Sequence, residues 1–169
     1  MRDPEHQAVD RSTGEVAWRR ETPLVPLESV HETSSPAAPT PLADASRVIV
    51  YFGSFGLLCY DFDGRELWRR PIPTPKSLYG SASSPILHGD RLMLVLDDDA
   101  NLTDSNLSRS RVIAVNKLTG ELIWETARPL QRSGWSTPAI WQHGGGEDLV
   151  VFGSGRVQGY DPATGEERW

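Results

Sequence analysis

The sequence predicts an all-β fold, and three observations support this prediction. A motif that begins with Asp or Asn and ends with Trp occurs four times along the 169 residues. Short apolar runs rich in strand-forming residues precede the later copies of this motif. The chain also contains 15 glycines and 13 prolines, which interrupt it too often for helical periodicity to develop. Because recurrence at long spacing is typical of repeat architectures, the fold is expected to consist of repeated β-sheet units.

The four copies of the motif share one spacing, in which a Gly stands four residues before the Trp. They read DRSTGEVAW, DFDGRELW, NKLTGELIW and DPATGEERW. An Asp or Asn side chain can accept hydrogen bonds from the backbone of a turn, and Gly adopts positive φ there at no steric cost. Each copy is therefore predicted to be a turn followed by the outer strand of a sheet. The structural residues of the repeat are Gly14, Trp18, Gly64, Trp68, Gly120, Trp124, Gly165 and Trp169.

A second repeated motif precedes the last three copies, at Thr40-Pro41, Ser84-Pro85 and Thr137-Pro138. Because proline cannot donate a backbone hydrogen bond to a sheet ladder, a strand that carries it is expected at a sheet edge. The repeat unit is then a proline edge strand, two central strands and the strand that ends in Trp. Successive tryptophans of the motif are 50, 56 and 45 residues apart. Such periods are typical of four-stranded propeller blades.

The sequence is accordingly interpreted as a partial β-propeller over residues 1–169, with about three and a half antiparallel four-stranded blades. Residues 1–20 are predicted to be the last hairpin of one blade, and three further blades cover 40–70, 82–126 and 135–169. Closed propellers have about four to eight blades, so these blades do not suffice for a ring. The chain is expected to be a fragment of a longer propeller, or else to close its ring by self-association.

The blade over 82–126 contains an acidic insertion, residues 97–110, where the other blades have a short turn. Three of its residues alternate as the first ligands of a Ca²⁺ loop do, and they are the weak metal candidates of the chain: Asp97, Asp99 and Asn101. Leu102 stands where such loops need Gly, and Ser108 stands where they need Glu. A solvated loop is therefore preferred to a metal site.

Other polar and aromatic residues receive structural interpretations. The pairs Arg19-Arg20 and Arg69-Arg70 are expected to discourage edge-to-edge strand pairing rather than to bind an anion. Trp135 and Trp141 are expected to fill space between sheets, although either could stack a planar ligand in a central channel.

Two residues that often carry chemistry are assigned no catalytic role. His31 is followed by Glu32, but no third group stands at a defined spacing from them. Cys59 is the only cysteine, so no disulfide can form within the chain, and its apolar surroundings predict a small buried hydrophobe. Catalytic residues are therefore predicted to be absent.

Charge and hydropathy exclude several classes of partner. With 17 basic and 23 acidic side chains the formal net charge is −6, which argues against nucleic acid or an anionic membrane surface as the main partner. No apolar run approaches the ~18 residues of a transmembrane segment. The first seven residues also lack the charged and apolar regions of a secretory signal.

The repeated segments DRSTGEVAW, CYDFDGRELW, AVNKLTGELIW and GYDPATGEERW, with the Ser-Pro and Thr-Pro companions, resemble the pyrroloquinoline-quinone-like (PQQ-like) β-propeller repeat family. The resemblance covers nearly the whole chain. In that family each Trp docks into the interface with a neighbouring blade, which implies the same role for Trp18, Trp68, Trp124 and Trp169. The run from His31 to Trp68 also resembles exported bacterial members, which implies a periplasmic or extracellular location.

The resemblance leaves two functional hypotheses. Quinoprotein dehydrogenases of the family have a vicinal cysteine pair and a Ca²⁺ site, whereas this chain has a single cysteine. No cofactor is therefore expected, and the chain is predicted to be a non-enzymatic scaffold that binds protein partners, as the propeller lipoproteins of outer-membrane assembly do. The alternative is a fragment of a quinone- or metal-dependent oxidoreductase whose catalytic residues lie outside this chain.

Overall fold

The structure, a computed structural model, describes residues 5–22, 24–100 and 103–169. Every regular element among these residues is a β-strand, and the strands form four antiparallel sheets: β1 (Glu5–Val9) and β2 (Val16–Glu21); β3 (Leu42–Ala43), β4 (Val48–Phe52), β5 (Gly56–Tyr60) and β6 (Glu66–Arg70); β7 (Ile86–His88), β8 (Arg91–Leu96), β9 (Arg111–Asn116) and β10 (Leu122–Ala127); β11 (Ala139–His143), β12 (Gly146–Phe152) and β13 (Val157–Tyr160). The predicted all-β fold of propeller-like blades is confirmed.

The strand order within each sheet follows the chain. The two four-stranded sheets have the orders β3-β4-β5-β6 and β7-β8-β9-β10, so every connection within a sheet is a hairpin. The last sheet differs from the predicted four strands, because β13 is followed only by a single bridge between Tyr160 and Glu167. In that sheet the segment before Trp169 does not form a continuous ladder.

The prolines stand where the sequence predicted them, ahead of edge strands. Each proline stands immediately before a strand: Pro41 before β3, Pro85 before β7 and Pro138 before β11. Each of these strands lies at one edge of its sheet. The missing proline N–H therefore removes no ladder bond.

The central strands of the β3–β6 and β7–β10 sheets are apolar on both faces because each of these two sheets packs against a neighbour on either side. In β8, Leu92, Leu94 and Leu96 face the core shared with the β3–β6 sheet, whereas Met93 and Val95 face the core shared with the β11–β13 sheet. Alternate residues of a strand point to opposite faces, so a continuous apolar run is what burial on both sides requires. A third core joins β4 and β5 to the first hairpin.

The Asp/Asn-to-Trp motifs form the predicted turns. In each turn the Asx Oδ1 atom accepts backbone N–H bonds; the Asn116 side chain, for example, accepts from Leu118 at 2.8 Å and Thr119 at 3.3 Å. The glycine that follows has φ between +73° and +77° in all four copies. The strand after the turn exposes both neighbours of its tryptophan, as in β6, where Trp68 is buried between exposed Leu67 and Arg69. In the described part of the chain, no helix is long and apolar enough to span a membrane.

We expect Trp68→Ala to lower the free energy of unfolding by about 3–5 kcal/mol, the usual range for removing a large buried aromatic side chain. Trp68 is 9% exposed and belongs to the core between two sheets. Equilibrium urea denaturation is the measurement, with Trp141→Ala as the matched control because Trp141 is 51% exposed. Equal losses in the two variants would contradict the structural role of Trp68.

Candidate functional site

The contacts between sheets are made by tryptophans that cover turn glycines. A Cβ atom added to the glycine would lie 2.5–2.6 Å from the indole ring in each of three pairs: Trp18 on Gly64, Trp68 on Gly120 and Trp124 on Gly165. Real Cβ atoms do not approach ring carbons this closely, so a side chain at any of these glycines would displace the ring. The turn glycine is thus required both for its positive φ and for the indole that lies on it.

Each of these indole rings also forms a hydrogen bond to the turn that it covers. The Nε1–H group donates to the backbone carbonyl of the residue after the Asx residue, at 2.9 to 3.2 Å: Trp18 to Phe62, Trp68 to Lys117 and Trp124 to Pro162. The polar end of a buried indole therefore has a partner. This bond fixes the lateral position of the ring over the glycine.

A third contact, which the sequence interpretation missed, comes from the residue two positions after the tryptophan. Its side chain donates to the carbonyl oxygen of the covered glycine: Arg20 to Gly64, Arg70 to Gly120 at 3.2 Å, and Thr126 to Gly165 at 2.5 Å. Residues i and i+2 of a strand share a face, so the spacing itself could have revealed this role. The sequence interpretation of Arg20 and Arg70 did not include this contact with the neighbouring sheet.

The other two arginines of the Arg19-Arg20 and Arg69-Arg70 pairs form ion pairs within their own sheets. Arg19 lies 3.7 Å from a carboxylate oxygen of Glu5, and Arg69 forms a bidentate pair with Glu66, both bonds being 2.7 Å long. These pairs are exposed, so each contributes little to stability.

The first glycine and the last tryptophan of the repeat are placed differently from the others. Apart from its chain neighbours, no described residue lies within 4 Å of the Cβ position of Gly14. Trp169 folds back over Gly159 of its own sheet, and its Nε1–H group donates to Asp148 Oδ2 at 2.8 Å. The Trp169 and Arg168 contacts lower the pKa of the Asp148 carboxyl. Trp169 therefore does not share the placement of Trp18, Trp68 and Trp124.

The Ser-Pro and Thr-Pro segments form a second row of contacts between sheets. The backbone N–H of Thr40 donates to Ser84 Oγ at 2.8 Å, and the N–H of Ser84 donates to Thr137 Oγ1 at 3.3 Å. The hydroxyls of Ser84 and Thr137 thus accept a backbone N–H bond from the residue before the proline of the preceding repeat. The sequence indicated an edge strand here but did not indicate this role of the hydroxyl.

The base of the acidic insertion is buried, which corrects its interpretation as a solvated loop. The Asp97 carboxylate pairs with the Arg128 guanidinium, and both side chains are almost completely buried. Arg128 also donates to Gln158 Oε1 at 3.3 Å. Burial raises the pKa of the Asp97 carboxyl, and the positive charge of Arg128 opposes that rise. Asp97 is therefore a structural residue, and the Arg128 side chain that it pairs with joins the β7–β10 sheet to the last sheet.

The neighbouring carboxylates of the insertion also have protein partners. Asp98 is buried and pairs with Arg109 at 2.9 Å. Asp99 Oδ1 accepts the Ser133 backbone N–H at 2.8 Å. The Oγ atom of Ser110 donates to Gln131 O at 2.8 Å, which joins the end of the insertion to the segment after β10.

The two metal candidates that the structure describes, Asp97 and Asp99, have different protein partners. Asp97 and Asp99 are bonded to Arg128 and Ser133, and Asn101 lies outside the described residues. Among the described residues, no group of three or more His, Cys, Asp or Glu side chains could hold a metal ion. The arrangement therefore gives no support to a Ca²⁺ loop.

The described residues do not fit the quinone cofactor that the repeat family implies. Cys59, the single cysteine, is fully buried in β5, where burial raises the pKa of its thiol to about 11. It has no vicinal partner, and the carboxylates of the insertion already pair with basic side chains or backbone. No catalytic step through a quinone is derived for this chain.

An exposed group of rings lies on the connections between sheets, and we call His31, Tyr79 and Trp135 the aromatic row. Tyr79 contacts His31 at 5.2 Å and Trp135 at 5.4 Å between ring centroids. Trp135 donates to Gly80 O at 3.3 Å and is 44% exposed. Trp141, outside the row, is also exposed. The prediction that Trp135 and Trp141 fill space between sheets is therefore wrong.

We expect Gly120→Ala to destabilise the fold more strongly than Gly14→Ala. The two glycines have nearly the same φ, +73° and +76°, so the left-handed backbone costs both variants about 1–2 kcal/mol. Only at Gly120 does the new methyl group meet an indole ring. Urea denaturation of the two variants separates the cost of the backbone conformation from the cost of the methyl–indole contact. Equal losses of unfolding free energy in the two variants would show that the ring contact contributes nothing.

We expect Asp97→Asn to lower the free energy of unfolding by about 3–5 kcal/mol, because it leaves the Arg128 charge buried without a counter-charge. The double variant Asp97→Asn, Arg128→Met should recover part of this loss, as it removes both charges. Asp104→Asn, in the exposed part of the insertion, is the control. A double variant as unstable as the sum of its single variants would exclude the coupling.

The sequence profile of the family described as outer membrane protein assembly factor BamB matches residues 5–169. No protein of curated function matches the chain by sequence. The match to the family profile therefore covers all four copies of the Trp motif.

Solved structures with the same fold include members of two functional groups. BamB from Moraxella catarrhalis superposes with a TM-score of 0.64 at 16% identity, covering 98% of this chain and 45% of that protein. A europium-containing methanol dehydrogenase has a TM-score of 0.66 at 11% identity, covering 98% and 37%. The quinohemoprotein alcohol dehydrogenase of Comamonas testosteroni gives 0.64 at 14% identity, covering 98% and 31%.

These structural similarities show the fold, and the chain spans less than half the length of each of these proteins. The family profile extends over nearly every residue of the chain. The chain belongs to the PQQ-like β-propeller repeat family, in the group described as outer membrane protein assembly factor BamB.

Proposed function

We propose that the chain is a non-enzymatic scaffold segment of a β-propeller that binds protein partners, in the periplasm, during outer membrane protein assembly. The family description supports the process, and the exported proteins that the sequence resembles support the location. The observation that carries the proposal is the aromatic row, which presents exposed rings on the connections between sheets. Exposed aromatic side chains are enriched at protein interfaces.

The aromatic row is held by contacts from three successive connections along the chain. The His31 N–H donates to Leu78 O at 3.0 Å, and Ser34 Oγ donates to Tyr79 O at 2.6 Å. From the other side, the Trp135 indole donates to the carbonyl of Gly80. The segment that carries Tyr79 is thus bonded on both sides, and a partner would meet a largely preformed surface.

The surface around the row combines apolar area with charge of both signs. Leu78 is 63% exposed beside Tyr79. Lys76, Asp99 and Arg132 lie around it, and the N–H of Asp99 donates to Lys76 O at 2.8 Å. An apolar centre with a charged rim is typical of protein–protein interfaces. This composition favours a polypeptide partner over a small planar ligand.

The alternative proposal is a segment of a quinone- or metal-dependent oxidoreductase. It is favoured by the fold similarity to the dehydrogenases, whose TM-scores of 0.66 and 0.64 are at least as high as the 0.64 of the assembly factor. In this case the catalytic residues would lie outside this chain, because Asp97, Asp98 and Asp99 of the insertion have protein partners and the Cys59 thiol is buried. The two proposals differ in what the aromatic row and the acidic insertion bind.

The scaffold proposal predicts that a photoreactive phenylalanine derivative at position 79 forms a discrete adduct with a protein of the outer-membrane assembly machinery in bacterial cells. The same derivative at Leu67, which is exposed on β6, is the control. Mass spectrometry identifies the adduct. Labelling of equal strength at both positions, or none at position 79, would remove the support for this surface.

We also expect pyrroloquinoline quinone to bind the chain no more tightly than millimolar, with or without Ca²⁺, by calorimetric titration. The paired carboxylates and the buried Cys59 thiol are the physical reason. Asp97→Asn should leave this result unchanged. Micromolar binding that this variant abolishes would favour the oxidoreductase.

A further inference from the structure

We propose that Asn106 is an acceptor for an N-linked oligosaccharide and is recognised within residues 104–108, which read DSNLS. The attached glycan would lie at the exposed part of the acidic insertion. This modification goes beyond the proposed scaffold function and shares with it only a location outside the cytoplasm, where oligosaccharyl transfer takes place. The sequence of the insertion, the exposure of Asn106 and the hydrogen bonding of its neighbours support the assignment.

Two adjacent copies of one short motif follow each other in the insertion. Residues 99–103 read DANLT and residues 104–108 read DSNLS, so Asp, Asn, Leu and a hydroxyl residue recur at the same spacing. Asn-x-Ser and Asn-x-Thr are the acceptor sequences of N-glycosylation when x is not Pro. Both copies also have an acidic residue two positions before the Asn. Asn101 lies outside the described residues, so we assign the acceptor role to Asn106.

Asparagine is rare in this chain, and the fold uses it only outside the insertion. The chain has three asparagines, and the third is Asn116. Asn116 has a structural role, since its Oδ1 atom accepts two backbone N–H bonds of a turn, and the residue two positions after it is Leu118. Asp10 and Asp161 perform the same structural role with a carboxylate. Turn formation therefore does not explain why both asparagines of the insertion stand two residues before a hydroxyl.

The Asn106 side chain is exposed and can be approached by an enzyme. The Asn106 backbone N–H donates to Asp104 Oδ1 at 2.9 Å, and the Leu107 N–H donates to Asp104 O at 3.1 Å. These two bonds form a short turn at the surface. Among the described residues, none forms a hydrogen bond with the side-chain amide of Asn106. Its Nδ2 atom can therefore reach a transferase without first breaking a bond to this part of the chain.

The Ser108 hydroxyl, which the acceptor sequence requires, is not used by the described part of the fold. Its Oγ atom is covered, yet no described residue is its hydrogen-bond partner. A covered hydroxyl without a partner lowers stability, so packing alone would favour alanine at this position. Binding of this segment to an enzyme would expose the hydroxyl without breaking a hydrogen bond that it makes here.

The insertion can carry a bulky glycan without disturbing the blades. The Asp98 N–H donates to Ser110 Oγ at 2.9 Å, and Arg109 pairs with the Asp98 carboxylate at 2.9 Å. These bonds fix the chain on the side of the sheet, and the exposed residues 103–107 lie beyond them. A glycan is large and hydrophilic and therefore requires a surface of this kind.

The sugar donor for this transfer is an oligosaccharide joined to a polyprenyl diphosphate. A bond forms between Asn106 Nδ2 and the anomeric carbon of the sugar. The bond from that carbon to the diphosphate oxygen breaks and leaves its electron pair on the diphosphate, while the amide nitrogen gives one proton to a base of the transferase. Because an amide nitrogen is a weak nucleophile, an oligosaccharyltransferase is required. It would recognise the Asp104 carboxylate and the Ser108 hydroxyl, each two residues from Asn106.

The test incubates the purified, folded chain with a bacterial oligosaccharyltransferase and its polyprenyl-diphosphate-linked oligosaccharide, and mass spectrometry of peptides locates the glycan. We expect a glycan on Asn106 that is lost in Asn106→Gln and in Ser108→Ala and is kept in Ser108→Thr. Ser105→Ala removes a neighbouring hydroxyl of the same turn and is the matched control, which should keep the glycan. No product on Asn106, a product on Asn101 alone, or an equal yield from Ser108→Ala would overturn the proposal.

The variant Asp104→Asn separates recognition of the carboxylate from formation of the turn. An asparagine at this position still offers an Oδ1 acceptor to the Asn106 N–H, whereas the negative charge is lost. We expect the variant to keep the circular dichroism of the parent and to lose the glycan. An unchanged yield would overturn the role of the carboxylate in recognition.

Glycan transfer to the purified chain is independent of the aromatic row and of export. Failure of the Tyr79 cross-link would refute the scaffold surface and leave this transfer unaffected. Absence of a glycan on Asn106 would refute the modification and leave the cross-link unaffected. The two proposals therefore fail separately.

Discussion

The contact of an indole ring with a turn glycine is the interaction on which the arrangement of the sheets depends. Within one sheet the strands are joined by backbone ladders, but adjacent sheets have no ladder in common. They meet through apolar side chains, which set the distance between two sheets but do not fix how one sheet is positioned along the other. The Trp–Gly contact fixes the position of one sheet relative to the next. The Trp68 ring fits over Gly120 because glycine has no side chain, and its N–H donates to the carbonyl of Lys117.

Two rows of polar contacts align each sheet with the next, one near each end of the blade. At the outer strand, the indole and the residue two positions later bind the neighbouring turn. At the inner edge, the hydroxyl of Ser84 accepts from Thr40, and that of Thr137 accepts from Ser84. Two separated points of attachment restrict rotation of one sheet against another, which a single apolar core would permit.

The sequence predicted the parts of this architecture that depend on local chemistry. Turn residues, proline edges and strand positions follow from backbone preferences that act over a few residues, and for this reason the Asx turns and the β3, β7 and β11 edges were correctly predicted. Contacts that depend on the neighbouring sheet were harder. The contact of Arg20 was missed and Trp135 was misinterpreted because their partners, Gly64 and Gly80, lie more than 40 residues away in the chain.

The acidic insertion shows the same limit. Its alternating carboxylates suggested either solvent or Ca²⁺, since in the sequence no basic residue stands close to Asp97. The residue that pairs with it, Arg128, follows the outer strand of the same sheet and is brought back to the insertion only by the fold. Burial of an acidic residue therefore could not be deduced from the composition of the loop, which is mostly polar.

The closed base of this insertion separates its tip from the rest of the protein. Ser110 and Asp98 are joined across the loop by the bond from the Asp98 N–H to Ser110 Oγ at 2.9 Å, and the exposed segment 103–107 lies beyond this bond. A change in the length or sequence of that segment would alter only the chain beyond this bond and would not disturb the hydrophobic core. Evolution can therefore diversify this loop at little thermodynamic cost, and a reporter peptide could be inserted there without disturbing the blades.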